Sequence, residues 1–191
     1  MGNALISVVI LTKNAGIKFE KTLAAIFDQE VDQTFEKIVV DSGSTDETLN
    51  IISKFDVKLF EIKPEEFNFG LTRDYAFSQA SGDFIVTISQ DVVPCDPYWL
   101  GNLVRPFQES DNVAAVQGNI SIPENEDVFY WEKTGLFYFT SECEDWSRRY
   151  MLGLSFVNCA IRRNIWEKNK MGFALHSEDK LFQLKIHNAG Y

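Results

Sequence analysis

Residues 85–91 read Ile-Val-Thr-Ile-Ser-Gln-Asp, an apolar and β-branched run that stops at polar groups and ends in the carboxylate of Asp91. A run of this kind is typical of a buried strand in a parallel sheet. Ligands of open α/β sheets collect beyond the carboxyl ends of the strands. We therefore expect Asp91 at the rim of a cleft rather than in the core.

Five further segments have the composition of strands, and helical patterns lie between most of them. The strand segments are residues 5–11, 37–40, 57–62, 113–116 and 155–161. Apolar residues at helical spacing occupy residues 19–27, 44–52, 72–80, 99–107, 164–168 and the segment from 177 onward. Strands and helices that alternate with such short connections predict a doubly wound α/β domain, whose mainly parallel sheet is flanked by helices. In the 57–62 strand we expect Val57, Leu59 and Phe60 to point inward.

Three of the predicted helices carry capping signals at their starts. Ser44 with Glu47 three residues later fits a capping box. Asp96 before Pro97 fits an N-cap followed by proline at the first helical position. Ser177 precedes the acids of the last helix as an ordinary N-cap.

The segment 124–152 is dense in aromatic residues, with acids and an arginine pair between them. Two interpretations are open for it: one or two helices over the sheet, or a flap on the cleft. We find no internal repeat or linker, and 191 residues suit one domain.

Composition limits the class of protein. With 45% hydrophobic and 14% aromatic residues the chain can build a sizeable core. Its net charge of −10 disfavours polymeric nucleic acid and anionic membrane faces, since both need clustered lysine and arginine. No apolar run approaches the ~20 residues that cross a bilayer, and the start lacks a basic signal region, so we expect a cytoplasmic protein.

The three cysteines, Cys95, Cys143 and Cys159, are odd in number and widely spaced. They fit neither a disulfide framework nor a zinc site. We interpret them as reduced, structural thiols.

Two aspartates end predicted strands of the same sheet. Asp41 follows residues 37–40 and Asp91 follows residues 85–90. Either alone is more often a turn residue than a ligand. Two carboxylates at one edge call for a cation or a proton, and a hard divalent ion with oxygen ligands suits them.

Other polar residues have both a plain and a functional interpretation. Glu178 and Asp179 open a helix, where acids stabilise the helix dipole, so catalysis is the minority interpretation. Arg73 follows a glycine-bearing loop, where it either meets a phosphate or is a solvated helix residue. His176 and His187 lack the spacing of metal ligands.

Several motifs are absent from the sequence. The turn after the first strand holds only Gly16, so it lacks the glycine-rich pattern that a dinucleotide needs. Neither a P-loop nor a nucleophile elbow occurs. The residues alone thus predict an acidic-edged α/β domain that binds a metal and a small ligand, with the reaction undecided.

Four strings, taken in order, resemble the family 2 glycosyltransferases. They are residues 7–14, 39–48, 82–91 and 177–191, so the likeness extends over nearly the whole chain. Residues 67–73 and 89–91 also resemble the rhamnosyltransferase branch of that family. The resemblance implies the GT-A fold, a Rossmann-like sheet that binds nucleotide sugars.

The resemblance also implies an activity. Family members move a sugar from a nucleoside diphosphate to an acceptor hydroxyl, many of them with inversion and with Mg²⁺ or Mn²⁺. For this chain the implied donor is dTDP-rhamnose or a UDP-sugar. The implied acceptor is a polysaccharide, glycan or lipid-linked sugar, and the last of these would bring the protein to the inner face of the membrane.

The resemblance assigns roles at the donor site. Asp41 matches the aspartate that contacts the base or ribose, and Thr12 and Asn14 line the same nucleoside end. Ser44 and Gln90 lie within the matching strings and are assigned to substrate binding with them.

Further roles follow for the phosphates and for catalysis. Asp91 matches the last acid of the metal motif, and Arg73 would contact the donor's phosphates or base edge. Asp179 matches the general base that takes the acceptor's proton, and Glu178 would tune or position it.

The chain departs from the family pattern at several points. Ser89 stands where many members have a first metal-binding aspartate, and Lys13 occupies a position that is often aromatic. Phe69 and Asp74 replace a histidine and an asparagine of the rhamnosyltransferase string.

Relatives continue beyond the position of Tyr191, so we expect a C-terminally shortened form whose activity is left open. Within one GT-A domain, we assign residues 1–118 to nucleotide binding and residues 119–191 to the acceptor and catalysis. The alternative is a catalytically impaired nucleotide- or glycan-binding module of the same fold. A sugar nucleotidyltransferase ranks last, because residues 12–16 lack a glycine-rich, arginine-bearing loop.

Overall fold

A computed structural model describes residues 5–121 and 153–191 of the chain. Within these ranges six strands form one sheet in the order β3-β2-β1-β4-β6-β5. The strands are β1 (Ile6–Thr12), β2 (Phe35–Asp41), β3 (Lys58–Glu61), β4 (Phe84–Ile88), β5 (Ala115–Gln117) and β6 (Asn158–Arg162). Strands β3, β2, β1 and β4 run parallel, whereas β6 is antiparallel to both β4 and β5. The predicted mainly parallel α/β sheet is confirmed.

Helices cover both faces of this sheet. They are α1 (Phe19–Phe27), α2 (Thr48–Ile52), α3 (Phe69–Ser78), α4 (Trp99–Glu109), α5 (Arg163–Lys168) and α6 (Glu178–Asn188), with a 3-10 turn at Pro64–Glu66. Alternate residues of β1 separate the two cores: Val8 packs with α1, α2 and α4, and Val9 packs with α3, α5 and α6. The doubly wound arrangement follows from strands that are apolar on both faces.

The predicted capping box at Ser44 and Glu47 is wrong. Helix α2 begins at Thr48, after Glu47, and the Glu47 side chain makes no capping bond; Oδ1 of Asp46 accepts the Thr48 N–H at 3.0 Å instead. The hydroxyl of Ser44 instead donates to the carboxylate of Asp41 at the end of β2. This bond to the strand-end acid takes the place of the predicted helix cap.

Two other helix starts differ from prediction. Helix α4 begins at Trp99, and Asp96 accepts a hydrogen bond from the backbone N–H of Tyr98 at 2.7 Å, so it shapes the turn before the helix. Ser177 precedes α6 with a left-handed φ of 56° and does not cap the helix through its side chain. In the 57–62 segment, Val57 and Phe60 are partly buried and pack against the two cores, whereas Leu59 in the edge strand β3 is 37% exposed rather than inward.

The predicted helices or flap at residues 124–152 lie outside the described residues, as does Cys143. Cys159 is buried in the described core, and burial raises the pKa of its thiol, as fits a structural cysteine. Among the described helices, none has the length and apolar character that a membrane crossing requires. The division between residues 118 and 119 stays a prediction.

Candidate functional site

The carboxyl ends of β1, β2 and β4 meet at one edge of the sheet. Thr12 pairs in register with Asp41, and the Thr12 hydroxyl donates to Oε1 of Gln90 at 2.8 Å. The same Oε1 accepts the Lys13 backbone N–H at 2.9 Å, and Nε2 of Gln90 donates back to the Lys13 carbonyl at 3.3 Å. The Gln90 amide therefore fixes the loop that leaves β1.

Asp41 is the centre of the loop that leaves β2. Its side chain is fully buried. Oδ1 accepts the backbone N–H groups of Gly43 at 2.9 Å and of Ser44 at 2.8 Å, while Oδ2 accepts the Ser44 hydroxyl. Gly43 has a φ of +86°, a conformation that favours glycine. Asp41 and Ser44 thus give this loop a fixed shape, as an Asx-turn does.

The loops after β1 and β2 are bonded to each other. The Asn14 backbone N–H donates to the Ser44 hydroxyl oxygen at 2.8 Å, and the Asn14 side-chain oxygen accepts the Thr45 N–H at 2.8 Å. Asn14 adopts a left-handed φ of 48°, which asparagine tolerates better than most residues. This side chain therefore connects the two loops directly.

Two further contacts extend that connection. The Ala15 N–H donates to the Thr48 hydroxyl at 2.9 Å, and the Gly16 N–H donates to Oδ2 of Asp46 at 2.9 Å. Hydrogen bonds from Thr48, and then from Gly16, lower the pKa of Asp46. One connected unit thus contains the predicted residues Thr12, Asn14, Asp41 and Ser44. Asp46 and Thr48 also belong to this unit, and the sequence analysis had given them no role.

Asp91 lies exposed just beyond β4. Among the residues that the structure describes, no side chain bonds to its carboxylate, and no three or more histidine, cysteine, aspartate or glutamate residues form a group that could hold a metal. A hard cation takes carboxylate oxygens and readily completes its shell with phosphate oxygens and water. The Asp91 carboxylate therefore suits Mg²⁺ or Mn²⁺ as a protein ligand, and phosphate oxygens and water would supply the remaining ligands of the ion.

Arg73 and Glu178 form a buried ion pair between α3 and α6. The Arg73 Nη2 lies 3.1 Å and its Nε 3.2 Å from Oε1 of Glu178. The two side chains are only 11% and 9% exposed. Burial lowers the pKa of the Arg73 guanidinium, and the Glu178 carboxylate offsets part of that effect.

Two more contacts fix the Arg73 guanidinium. Its Nη1 donates to the Thr87 hydroxyl in β4 at 3.0 Å, and its Cζ lies 4.6 Å from the ring centre of Phe156. In this structure Arg73 therefore joins α3, α6 and the sheet. The predicted contact of Arg73 with the donor stays a prediction.

Asp179 follows Glu178 in the first turn of α6 and is half-buried. Its Oδ1 accepts the Lys180 backbone N–H at 2.7 Å. Burial lowers the pKa of the Lys180 ammonium, and the neighbouring Asp179 charge opposes that shift. Arg73 donates hydrogen bonds to both Glu178 and Thr87, so the first turn of α6, which carries Glu178 and Asp179, lies over the carboxyl half of β4.

Sequence reasoning missed the contacts that fix the loop before α6. Asp74 accepts hydrogen bonds from the Trp166 indole N–H in α5 and from the backbone N–H groups of Met171 and Gly172 in the loop. The Asn68 side chain accepts the Ala174 N–H at 3.1 Å. A Cβ at Gly70 would overlap the carbonyl oxygen of Gly172. The glycine in residues 67–73 was the one available signal, since it marks a close backbone approach.

The strand order and the loops at the carboxyl edge define a GT-A type fold. The S. aureus TarS 1–349 structure matches with a TM-score of 0.74 at 22% identity, covering 94% of this chain and 54% of that one. The mannosyltransferase PcManGT from Pyrobaculum calidifontis, in complex with GDP-Man and Mn²⁺, matches with a TM-score of 0.70 at 21% identity, covering 97% and 52%. Likenesses at this identity show the fold, and the predicted GT-A type is confirmed.

The family model "Glycosyl transferase family 2" matches residues 7–169. The O-antigen chain rhamnosyltransferase RfbN of Salmonella typhimurium is 31% identical over 97% of this chain and 62% of its own length. WbaN of Salmonella anatum, another O-antigen chain rhamnosyltransferase, is 34% identical over 59% of this chain and 36% of its own length.

The chain belongs to glycosyl transferase family 2. The predicted resemblance to its rhamnosyltransferase-like branch is confirmed. This chain spans less than two thirds of the length of either rhamnosyltransferase.

Proposed function

We propose that this domain transfers a sugar from a nucleoside diphosphate sugar to an acceptor hydroxyl in polysaccharide or glycan synthesis. One observation carries the proposal: a single sheet edge combines the bonded loops after β1 and β2, the exposed carboxylate of Asp91, and the anchored acids of α6. The first two suit a charged nucleotide, and the third supplies a base.

Named relatives support a donor class. RfbN and WbaN are rhamnosyltransferases, and TarS has been solved with UDP-GlcNAc. A pyrimidine nucleotide sugar is the proposed donor, with dTDP-rhamnose as the first candidate, although PcManGT has been solved with the purine nucleotide sugar GDP-Man. The acceptor is a glycan or lipid-linked sugar, and nucleic acid is no partner. The location is cytoplasmic, with peripheral contact to the membrane through the acceptor.

The nucleoside end of the donor is assigned to the bonded loops. Asn14, Asp41 and Ser44 are joined by hydrogen bonds before any ligand binds, and Thr12 is paired with Asp41 in the sheet, so the loops are preorganised and little ordering free energy is lost on binding. In the proposal Gln90 acts on the donor through this loop, because its amide is bonded to Lys13 and Thr12.

Asp91 is the proposed protein ligand for Mg²⁺ or Mn²⁺. Such an ion would neutralise charge on the diphosphate leaving group. Solved relatives contain Mn²⁺ alongside GDP-Man or UDP. The Asp91 carboxylate is exposed at the end of β4, where a bound ion can reach it.

Asp179 is the proposed general base. Its carboxylate takes the proton of the acceptor hydroxyl as that oxygen bonds to the anomeric carbon and the bond from this carbon to the diphosphate breaks. A positioned base of this kind typically contributes about 10²–10⁴-fold to the rate. Glu178 holds the helix in place through Arg73.

Donor binding is tested by thermal melting with dTDP, UDP or GDP, each with and without Mn²⁺. The proposal expects a nucleotide-dependent rise in Tm that Mn²⁺ enlarges and that Asp91→Ala removes. Asp56→Ala is the matched control: this exposed carboxylate precedes β3, at the opposite edge of the sheet, and its loss should leave the rise intact. No rise with any of the three nucleotides contradicts the proposal.

Transfer is tested by single-turnover assays with nucleotide sugars and a glycan acceptor panel. Asp179→Asn should keep the Tm rise and abolish transfer, and retained turnover would exclude Asp179 as the base. Donor binding without transfer by the unmodified chain would favour the catalytically impaired binding module instead.

A further inference from the structure

The loop between α5 and α6 is bound to α3 by one carboxylate. Oδ1 of Asp74 accepts the Trp166 indole N–H at 2.8 Å and the Met171 N–H at 3.0 Å, and Oδ2 accepts the Gly172 N–H at 2.8 Å. Both oxygens are occupied. Two of the three donors are consecutive backbone amides of the loop.

Further contacts make this loop part of a unit with α3 and α6. The Asn68 side-chain oxygen accepts the Ala174 N–H, and Gly70 lies against the carbonyl of Gly172. From the other side, the Lys185 ammonium of α6 donates to the carbonyl oxygen of Met171 at 2.9 Å. The path of the chain into α6 is therefore set by its contacts with α3.

The loop enters α6 through an unusual backbone conformation. Ser177, directly before Glu178, has a φ of 56°. A non-glycine residue keeps such a conformation only where its surroundings hold it. The contacts at residues 171, 172 and 174 fix the chain three to six residues before Ser177, and the Ser177 carbonyl accepts the Leu181 N–H of α6 at 3.1 Å.

We propose that Asp74 is a positioning residue that fixes Asp179 for proton transfer. The inference rests on the proposed function. Asp74 touches neither donor nor acceptor and acts only through the loop and the start of α6. An aspartate is required because both of its oxygens accept, whereas an asparagine places an N–H group opposite one of the N–H donors.

The test compares Asp74→Asn and Asp74→Ala with Glu36→Gln. Glu36 is a matched control, since it also accepts several hydrogen bonds but lies beside Ser81 and Lys58, away from the carboxyl edge. Both Asp74 variants should keep the nucleotide-dependent Tm rise and a donor KM within about 2-fold of wild type. The kcat should fall by about 10-fold in Asp74→Asn and by up to about 100-fold in Asp74→Ala. Glu36→Gln should keep kcat at a temperature where it is folded.

Hydrogen exchange supplies a readout that needs no turnover. Amides 177–181 should exchange faster in both Asp74 variants and not in Glu36→Gln. Wild-type kcat, or faster exchange confined to residues 171–172, would overturn the inference. If the wild-type chain transfers no sugar, the proposed function fails, and exchange at residues 177–181 alone decides for or against Asp74. Asp74→Asn keeps the side-chain shape, so it tests the inference even where Asp74→Ala does not fold.

Discussion

The buried ion pair between Arg73 and Glu178 should show strong energetic coupling. The changes are Arg73→Met, Glu178→Gln and the double variant, all of which keep side-chain volume. Each single change leaves one charge, about nine-tenths buried, without its partner. Stranding a buried charge in this way typically costs about 3–5 kcal/mol.

The double variant strands no charge, although it still lacks the bond to Thr87 and the contact with Phe156. It should be no less stable than either single variant. The coupling energy should therefore be at least about 3 kcal/mol, the top of the range for contacting residues. Little of this is screened, since both side chains are shielded from solvent.

The assay is urea unfolding of the four proteins of the cycle, followed by circular dichroism. The control cycle uses Lys54 and Glu20, whose ammonium and carboxylate are 2.9 Å apart but 56% and 48% exposed. That pair should couple by less than about 1 kcal/mol. If the buried pair couples by under about 0.5 kcal/mol, Arg73 does not hold Glu178 in the way we describe.

Two further predictions concern stability. Burial raises the pKa of Glu36, but hydrogen bonds from Lys58 and two serines outweigh this and lower it from 4.5 to about 2. Because the pKa of Glu36 is lower in the folded state, its ionised carboxylate stabilises the fold above pH 4.5, and this stabilisation is lost as the pH falls towards 2. In urea unfolding, Glu36→Gln should therefore lower the free energy of unfolding by at most about 3 kcal/mol at pH 7 and by about 1 kcal/mol at pH 3. A cost independent of pH would refute this origin. Gly70→Ala should lower stability by about 1–3 kcal/mol, because the added methyl overlaps the carbonyl of Gly172; an unchanged Tm would contradict the close approach.

Local patterns predicted much of the sheet. The apolar run that ends at Asp91 is β4, and Asp91 is exposed at the carboxyl edge as expected. The direction of β6 was not predicted, because a short apolar strand has the same composition whether it pairs parallel or antiparallel.

Side-chain partners distant in sequence were the least predictable part of the site. Arg73 and Glu178 are 105 residues apart, and nothing local to either residue specifies the other. At Ser44 two local interactions were open: the capping box required Glu47, three residues on, whereas the hydroxyl donates to Asp41, three residues back. The roles of Asp41 in nucleoside binding, of Asp91 in metal binding and of Asp179 in catalysis stay predictions.

The bonded loops after β1 and β2 have a consequence for engineering donor choice. Asn14 with Ser44, and Gly16 with Asp46, join backbone to side chain across the two segments. A chimera that imports only one segment from a relative would lose these cross-bonds and leave several amides without acceptors. Residues 12–16 and 41–48 therefore form a single cassette, to be exchanged together when a transferase of this family is given a new nucleotide specificity.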